Sequence, residues 1–219
     1  MRGRLVLVAL TASLLAGCGG SGSNGEADRT AARILADAKR AARAAGSFSV
    51  AGTIEDQGAT IGLDLRVADG GGTGTMTIQG SRIDVIRIGR TLYLRAGARF
   101  YEQVGAGKAA GRLLDGKWLE VSARARDFRD LADLTDVDSF LQAALTPAGT
   151  IAKGAETTVA GRKANELKDS KGGSLFVATT GKPYPIEFRG GGTLTLGNWG
   201  APVSPEAPKS PVDLAGLGG

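Results

Sequence analysis

The sequence predicts an α+β fold: a strongly curved antiparallel sheet forming a half-barrel, with an N-terminal helix and short helices covering its concave side. Three observations carry that expectation. Apolar residues recur at three- and four-residue steps over Arg29 to Ala45, alternation of period two fills two long stretches after Gly46, and short helical patterns with a strong apolar face lie between those stretches.

In the first helix Ala31, Ile34, Leu35, Ala38, Ala41, Ala42 and Ala45 form one stripe, while Arg33, Asp37, Lys39, Arg40 and Arg43 take the other faces. Asp28 is the expected N-cap, and Gly46 the left-handed residue that stops the helix. Strands follow near Phe48 to Glu55, Thr60 to Val67, Gly74 to Gln79, Arg82 to Ile88, Thr91 to Arg95 and Arg99 to Val104, separated by glycine-bearing turns that suit antiparallel hairpins. The phase slips in Arg82 to Ile88, which implies a bulge or a strand covered on both faces. Helices are expected over Gly107 to Leu114, Asp127 to Leu134 and Val137 to Leu145, with a strand at Lys117 to Ser122. Alternation returns at Glu156 to Val159, Lys163 to Lys168, Ser174 to Thr179, Pro185 to Arg189 and Thr193 to Leu196. A meander this long, with helices inserted midway, curls round them into an incomplete barrel.

Composition excludes much chemistry. Among 219 residues there is no histidine and one cysteine, so zinc cages, Ser/His/Asp triads, Cys/His dyads and internal disulfides are unavailable. An acidic group, Asp127, Asp130, Asp133, Asp136 and Asp138, lacks the spacing of a calcium loop and reads as caps and solvated helix faces. No metal site, cofactor or catalytic residue is expected, and the chain is not read as an enzyme. The net charge of +5, of which Arg2 and Arg4 supply two, is too small to imply nucleic acid.

The N-terminus is more specific. Arg2 and Arg4 precede an apolar run from Leu5 to Leu15, too short to span a bilayer of roughly 30 Å as a stable helix, and Ala16 and Gly17 are small residues before Cys18. This is the form of a secretory signal. Leu15-Ala16-Gly17-Cys18 resembles the lipobox of bacterial lipoproteins, in which the chain is cut before a cysteine that carries diacylglycerol. The resemblance implies a signal peptide over residues 1–17 and a lipid anchor at Cys18 on the outer face of the cell membrane. Residues 18–28, rich in Gly, Ser and Asn as far as Glu26, are expected to be a flexible tether, 29–200 one half-barrel domain, and 201–219 a Pro- and Gly-rich tail, extended or disordered.

Two stretches resemble the LppX/LprG-type actinobacterial lipoproteins, whose fold is akin to the LolA and LolB carriers. They are TLYLRAGARFYEQVG with DGKWLEVS, within 91–122, and VAGRKANELKDSKGGSLFVATTGKPYPIEFR, at 159–189. The resemblance implies a half-barrel with helices in its mouth, an apolar cavity for acyl chains of a lipid or glycolipid, carriage or presentation of that lipid in the envelope, and a membrane transporter as an expected partner. Inward-facing strand residues would be Ile78, Val85, Leu92, Leu94, Leu175, Val177, Ile186, Phe188, Leu194 and Leu196, of which Val85, Leu92, Leu94, Leu175, Val177 and Phe188 are the candidate lining. These residues form either a lipid-accepting surface or a solid core; the latter fits a scaffold lipoprotein that binds a protein or glycan. Trp118, Tyr93, Tyr101 and Tyr184 are candidates for a cavity rim, or ordinary partly buried aromatics.

Overall fold

The small side chains of the first helical stripe let a helix lie close on a sheet, and that contact organises the molecule. The structure, a computed structural model, describes residues 22–56 and 58–214; the signal segment and Cys18 lie outside them. Helix α1 (Ala31–Ala45) buries Ile34, Leu35, Ala38 and Ala42, and ends at Gly46 with φ 67°. Its N-cap is Thr30, whose hydroxyl accepts from Arg33 N at 3.4 Å, and not Asp28, which lies in a 3-10 turn (Glu26–Asp28) before it.

Twelve strands form one sheet: β1 (Ser47–Asp56), β2 (Ala59–Ala68), β3 (Gly71–Ile78), β4 (Ser81–Ile88), β5 (Thr91–Ala96), β6 (Trp118–Ser122), β7 (Ile151–Val159), β8 (Arg162–Asp169), β9 (Ser174–Ala178), β10 (Pro185–Arg189), β11 (Gly192–Gly197) and β12 (Val212–Asp213). Their spatial order is β12-β6-β5-β4-β3-β2-β1-β11-β10-β9-β8-β7, antiparallel except for β12 on β6. The sheet is not closed, and β1, paired with both β2 and β11, joins the two meanders. Where strands approach closely only glycine fits: a Cβ at Gly74 would lie 2.1 Å from the Asp64 carbonyl oxygen.

The remaining helices are α2 (Ala98–Gln103), α3 (Gly107–Leu114), α4 (Arg129–Leu134) and α5 (Val137–Ala144). Together with α1, α5 fills most of the concave side: Val137, Phe140 and Leu141 join Ile34, Phe48, Val50, Leu65, Val85 and Leu92 in one core. An aromatic chain runs through it, Phe48 lying 5.0 Å from Phe140 and 5.2 Å from Trp199 between ring centroids.

The corner between α4 and α5 is fixed electrostatically. Arg87 on β4 donates to Asp136 at 2.8 Å and to the Thr135 carbonyl at 3.1 Å, while Asp136 caps α5 by accepting from Ser139 N at 2.9 Å. Burial pushes the Asp136 carboxyl up, but the Ser139 N–H, Arg87 and the Ser139 hydroxyl outweigh it and hold the carboxyl below the usual aspartate range. Because the folded-state pKa is depressed, this stabilisation is complete above the unfolded value and is lost as pH falls through the folded one. Asp136→Ala removes a cap and leaves Arg87 without its carboxylate; a loss of about 2 kcal/mol in urea unfolding at pH 7 is expected, shrinking toward zero in acid.

Several elements differ from expectation. Arg99 to Val104 is not a strand but lies mostly in α2, whose first N–H, on Ala98, is capped by Asp115 Oδ1 at 2.8 Å from beyond α3. Arg82 to Ile88 pairs with both neighbours without a bulge, and its second apolar set is half covered at Ile86 and exposed at Ile88. β7 begins five residues earlier than expected, because a register shift between Lys153 and Glu156 interrupts its alternation. Ile186 faces the opposite side from the main core, packing with Val159, Ala164, Phe176 and Ala178, since the register shifts between Pro185 and Glu187.

Both ends of the domain differ as well. Residues 23–28 are held to the sheet: Ser23 bridges Thr180, Asn24 N donates to Thr179 O at 2.9 Å, and the Asn165 amide donates to Glu26 O at 2.9 Å. The segment from 201 has no regular structure before Val212 but does not hang free. Ser47 Oγ donates to Ala201 O, Pro205 lies over Gly71, and Val212–Asp213 pairs with Leu119 and Glu120, covering the edge of β6.

Candidate functional site

The helices leave the concave side incompletely filled at the end of the strands opposite the β9–β10 turn. The antiparallel register puts the β8–β9 turn, the β10–β11 turn and the start of β7 on one rim of the sheet. There, between α1, the loop after α5 and these strand ends, opens a cleft of about 410 Å³. Its apolar walls are Leu35, Leu145, Ile151, Leu167, Leu175 and Phe188; Asp169, Lys171, Ser174 and Arg189 are the polar residues around them.

Glycines shape the lip. A Cβ at Gly190, φ 142°, would stand 2.7 Å from the Gly173 Cα, so the two hairpin turns meet backbone to backbone, and no other residue fits at that approach. The opposite lip is stapled by Asp169. Its carboxylate accepts from Ala148 N at 2.7 Å, Gly149 N at 3.1 Å and Lys171 N at 2.8 Å, while Ser170 and Thr150 exchange bonds of 2.9 Å. The Lys171 N–H foremost, then that of Gly149, holds the Asp169 carboxyl below its ordinary value. The staple is therefore intact above the usual aspartate range and weakens as pH falls through the depressed value. Asp169→Asn is expected to speed amide exchange in 148–150 several-fold while leaving β1 and β2 unaffected.

Two of the six candidate lining residues, Leu175 and Phe188, reach this cleft. Val85, Leu92, Leu94 and Val177 do not line it; they lie deeper in the continuous core, whose edge Leu35, Leu145, Leu167 and Leu175 form at the cleft. Leu35, Leu145, Ile151 and Leu167 were not singled out as lining; Leu35 and Leu145 are visible in the sequence only as members of helical stripes, which says that they are covered but not by what. The four aromatic candidates do not line it. Tyr184 stacks on Trp199 at 5.0 Å, Trp118 lies under Arg95, Tyr93 is buried, and Tyr101 is buried beside Phe100.

A second cleft, of about 520 Å³ and polar, lies on the opposite rim, lined by Arg87, Arg90, Arg124 and Arg129 with Asp133, Asp136 and Ser139. Among the described residues no three His, Cys, Asp or Glu side chains are grouped as a metal would require, and no helix is long and apolar enough to cross a membrane.

An open, curved, mostly antiparallel sheet with helices in its concavity and an apolar cleft at one rim defines the class as a half-barrel α+β fold. Comparison with solved structures finds the same architecture. The structure of LprF from Mycobacterium bovis superimposes with a TM-score of 0.57 at 16% sequence identity, covering 81% of this chain and 96% of that one. No family model and no curated protein matches the chain. The likeness to the LppX/LprG-type lipoproteins is thus one of fold.

Proposed function

We propose that the protein is a lipoprotein, anchored through a diacylglyceryl group on Cys18 at the outer face of the cell membrane, that holds an acyl chain of a lipid or glycolipid in the rim cleft and carries or presents it in the envelope. The observation that carries this reading is the cleft itself, floored by apolar side chains with Asp169, Lys171 and Arg189 at its edge, which suits a hydrocarbon chain whose polar head stays in water. At roughly 30 Å³ per water-sized group the space admits about a dozen methylenes. Because the cleft is open to solvent they are only partly covered, so weak, exchangeable binding is expected. One chain fits, and an open cleft lets it exchange. A membrane transporter that supplies or accepts the lipid belongs to this reading.

The test is titration of residues 22–219 with a fatty acid bearing an environment-sensitive fluorophore. Saturable binding displaced by unlabelled fatty acid is expected, and Ile151→Trp, which fills the cleft from a half-exposed position, should weaken it tenfold or more. Absence of saturable binding contradicts the reading. A scaffold role without lipid is favoured by one feature, the tight filling of the concavity around Val85 and Leu92, both 0% exposed; it predicts that the probe is not bound.

A further inference from the structure

Ser23 and Asn24 lie on the rim opposite the apolar cleft. Ser23 bridges Thr180, and Asn24 is tied by its own N–H to Thr179 O, and by its side-chain amide to Ala178 O at 3.0 Å and Gly181 O at 3.1 Å. These partners lie at the β9–β10 end of the strands. The cleft is built at the other end, by the β8–β9 and β10–β11 turns. From Thr179 back to Gly173 the chain takes six steps along β9, about 20 Å at the rise of a strand. From Cys18 to Asn24 there are also six residues, and their full stretch is again about 20 Å. An anchor at Cys18 therefore reaches the level of the cleft only when pulled straight along the side of the sheet, with nothing left to let the mouth turn onto the bilayer.

The rim that the leash does favour is basic. Lys163 and Lys182 are exposed and Arg162 half-exposed next to the Asn24 contacts, and among the described residues none of the three joins an ion pair. Farther round the same rim is the polar cleft, where Arg87, Arg90, Arg124 and Arg129 outnumber Asp133 and Asp136.

We propose that the anchored protein stands on its β9–β10 rim, with Arg162, Lys163 and Lys182 against anionic phospholipid headgroups, and opens the apolar cleft away from the membrane that holds it. The inference rests on the Cys18 anchor of the proposed function. Its consequence is that the bound chain is exchanged with an acceptor lying outward, not with the lipids beneath.

The mature acylated chain has no other cysteine, so Lys182→Cys and Lys171→Cys each accept one fluorophore. On phosphatidylcholine vesicles containing phosphatidylglycerol and a headgroup-level quencher lipid, the probe at 182 should be quenched several-fold more than that at 171. Equal or reversed quenching overturns the orientation. Omitting phosphatidylglycerol should reduce the contrast by about twofold, as expected for lysines at an anionic surface; an unchanged contrast overturns the headgroup contact. The mass of the N-terminal peptide separates the two readings. A chain without the diacylglyceryl mass removes the anchor and the orientation with it, whereas an acylated chain quenched at 171 overturns the orientation alone.

Discussion

Exported behind an ordinary cleaved signal peptide and lacking Cys18, residues 22–219 are expected in the aqueous fraction, while the native chain stays with the membrane through a high-salt wash. The physical difference is large. Two acyl chains, at about 0.8 kcal/mol for each buried methylene, give durable attachment where one does not. The cations of the β9–β10 rim cannot replace them, because exposed charges are screened over roughly 10 Å at 0.1 M salt. Sedimentation with membranes of the chain lacking Cys18, after the same wash, would refute the anchor as the source of attachment.

Phe48→Ala is expected to cost 3–5 kcal/mol in denaturant unfolding, the range for truncating a buried aromatic. Phe48 is 1% exposed and lies between Phe140 of α5 and Trp199 beyond β11, so its ring joins the helical layer to the strand that links the two meanders. The neighbours are themselves large rings, fixed by Trp199 Nε1 donating to Pro185 O at 3.2 Å, and they cannot collapse into the space. A loss under 1 kcal/mol would mean that α5 is not seated on the sheet as described.

Much of this architecture is legible in the residues. The stripe over Ala31–Ala45, its stop at Gly46, and most strands follow from periods of 3.6 and 2 and from glycine-bearing turns, because one buried face per element writes itself into the sequence. What is not legible depends on distant partners. The α2 segment reads as a strand because it is short and holds the strand-favouring Phe100, Tyr101 and Val104; its helical state is supported by Asp115, seventeen residues on from Ala98. The tail has no periodicity because its one short strand takes its ladder from β6 and not from a pattern of its own. The N-terminal Gly/Ser/Asn segment has tether composition, yet Asn24 finds three backbone partners more than 150 residues away.

The candidate lining divides for a similar reason. Alternation identifies the face of Leu92, Leu94, Val85 and Val177, but every residue on an inward face looks alike, whether a helix or a void lies against it. Where α1 and α5 end decides which of them meet a void. The one local trace of the cleft is the pair of glycine runs at 172–173 and 190–192, whose backbones approach at its lip. They read as turns, and their meeting in space is not written in either run.

The central claim is that acyl chains enter the rim cleft and not the middle of the sheet. Methyl resonances of residues 22–219, followed while a long-chain fatty acid is added, test it residue by residue. The account predicts that the methyls of Leu35, Leu145, Ile151, Leu167 and Leu175 shift together and saturate, while those of Val85, Leu92, Leu94 and Val177 stay in place. Saturable shifts at Leu92 and Leu94 with none at Ile151 and Leu175, or no shift anywhere, would contradict it.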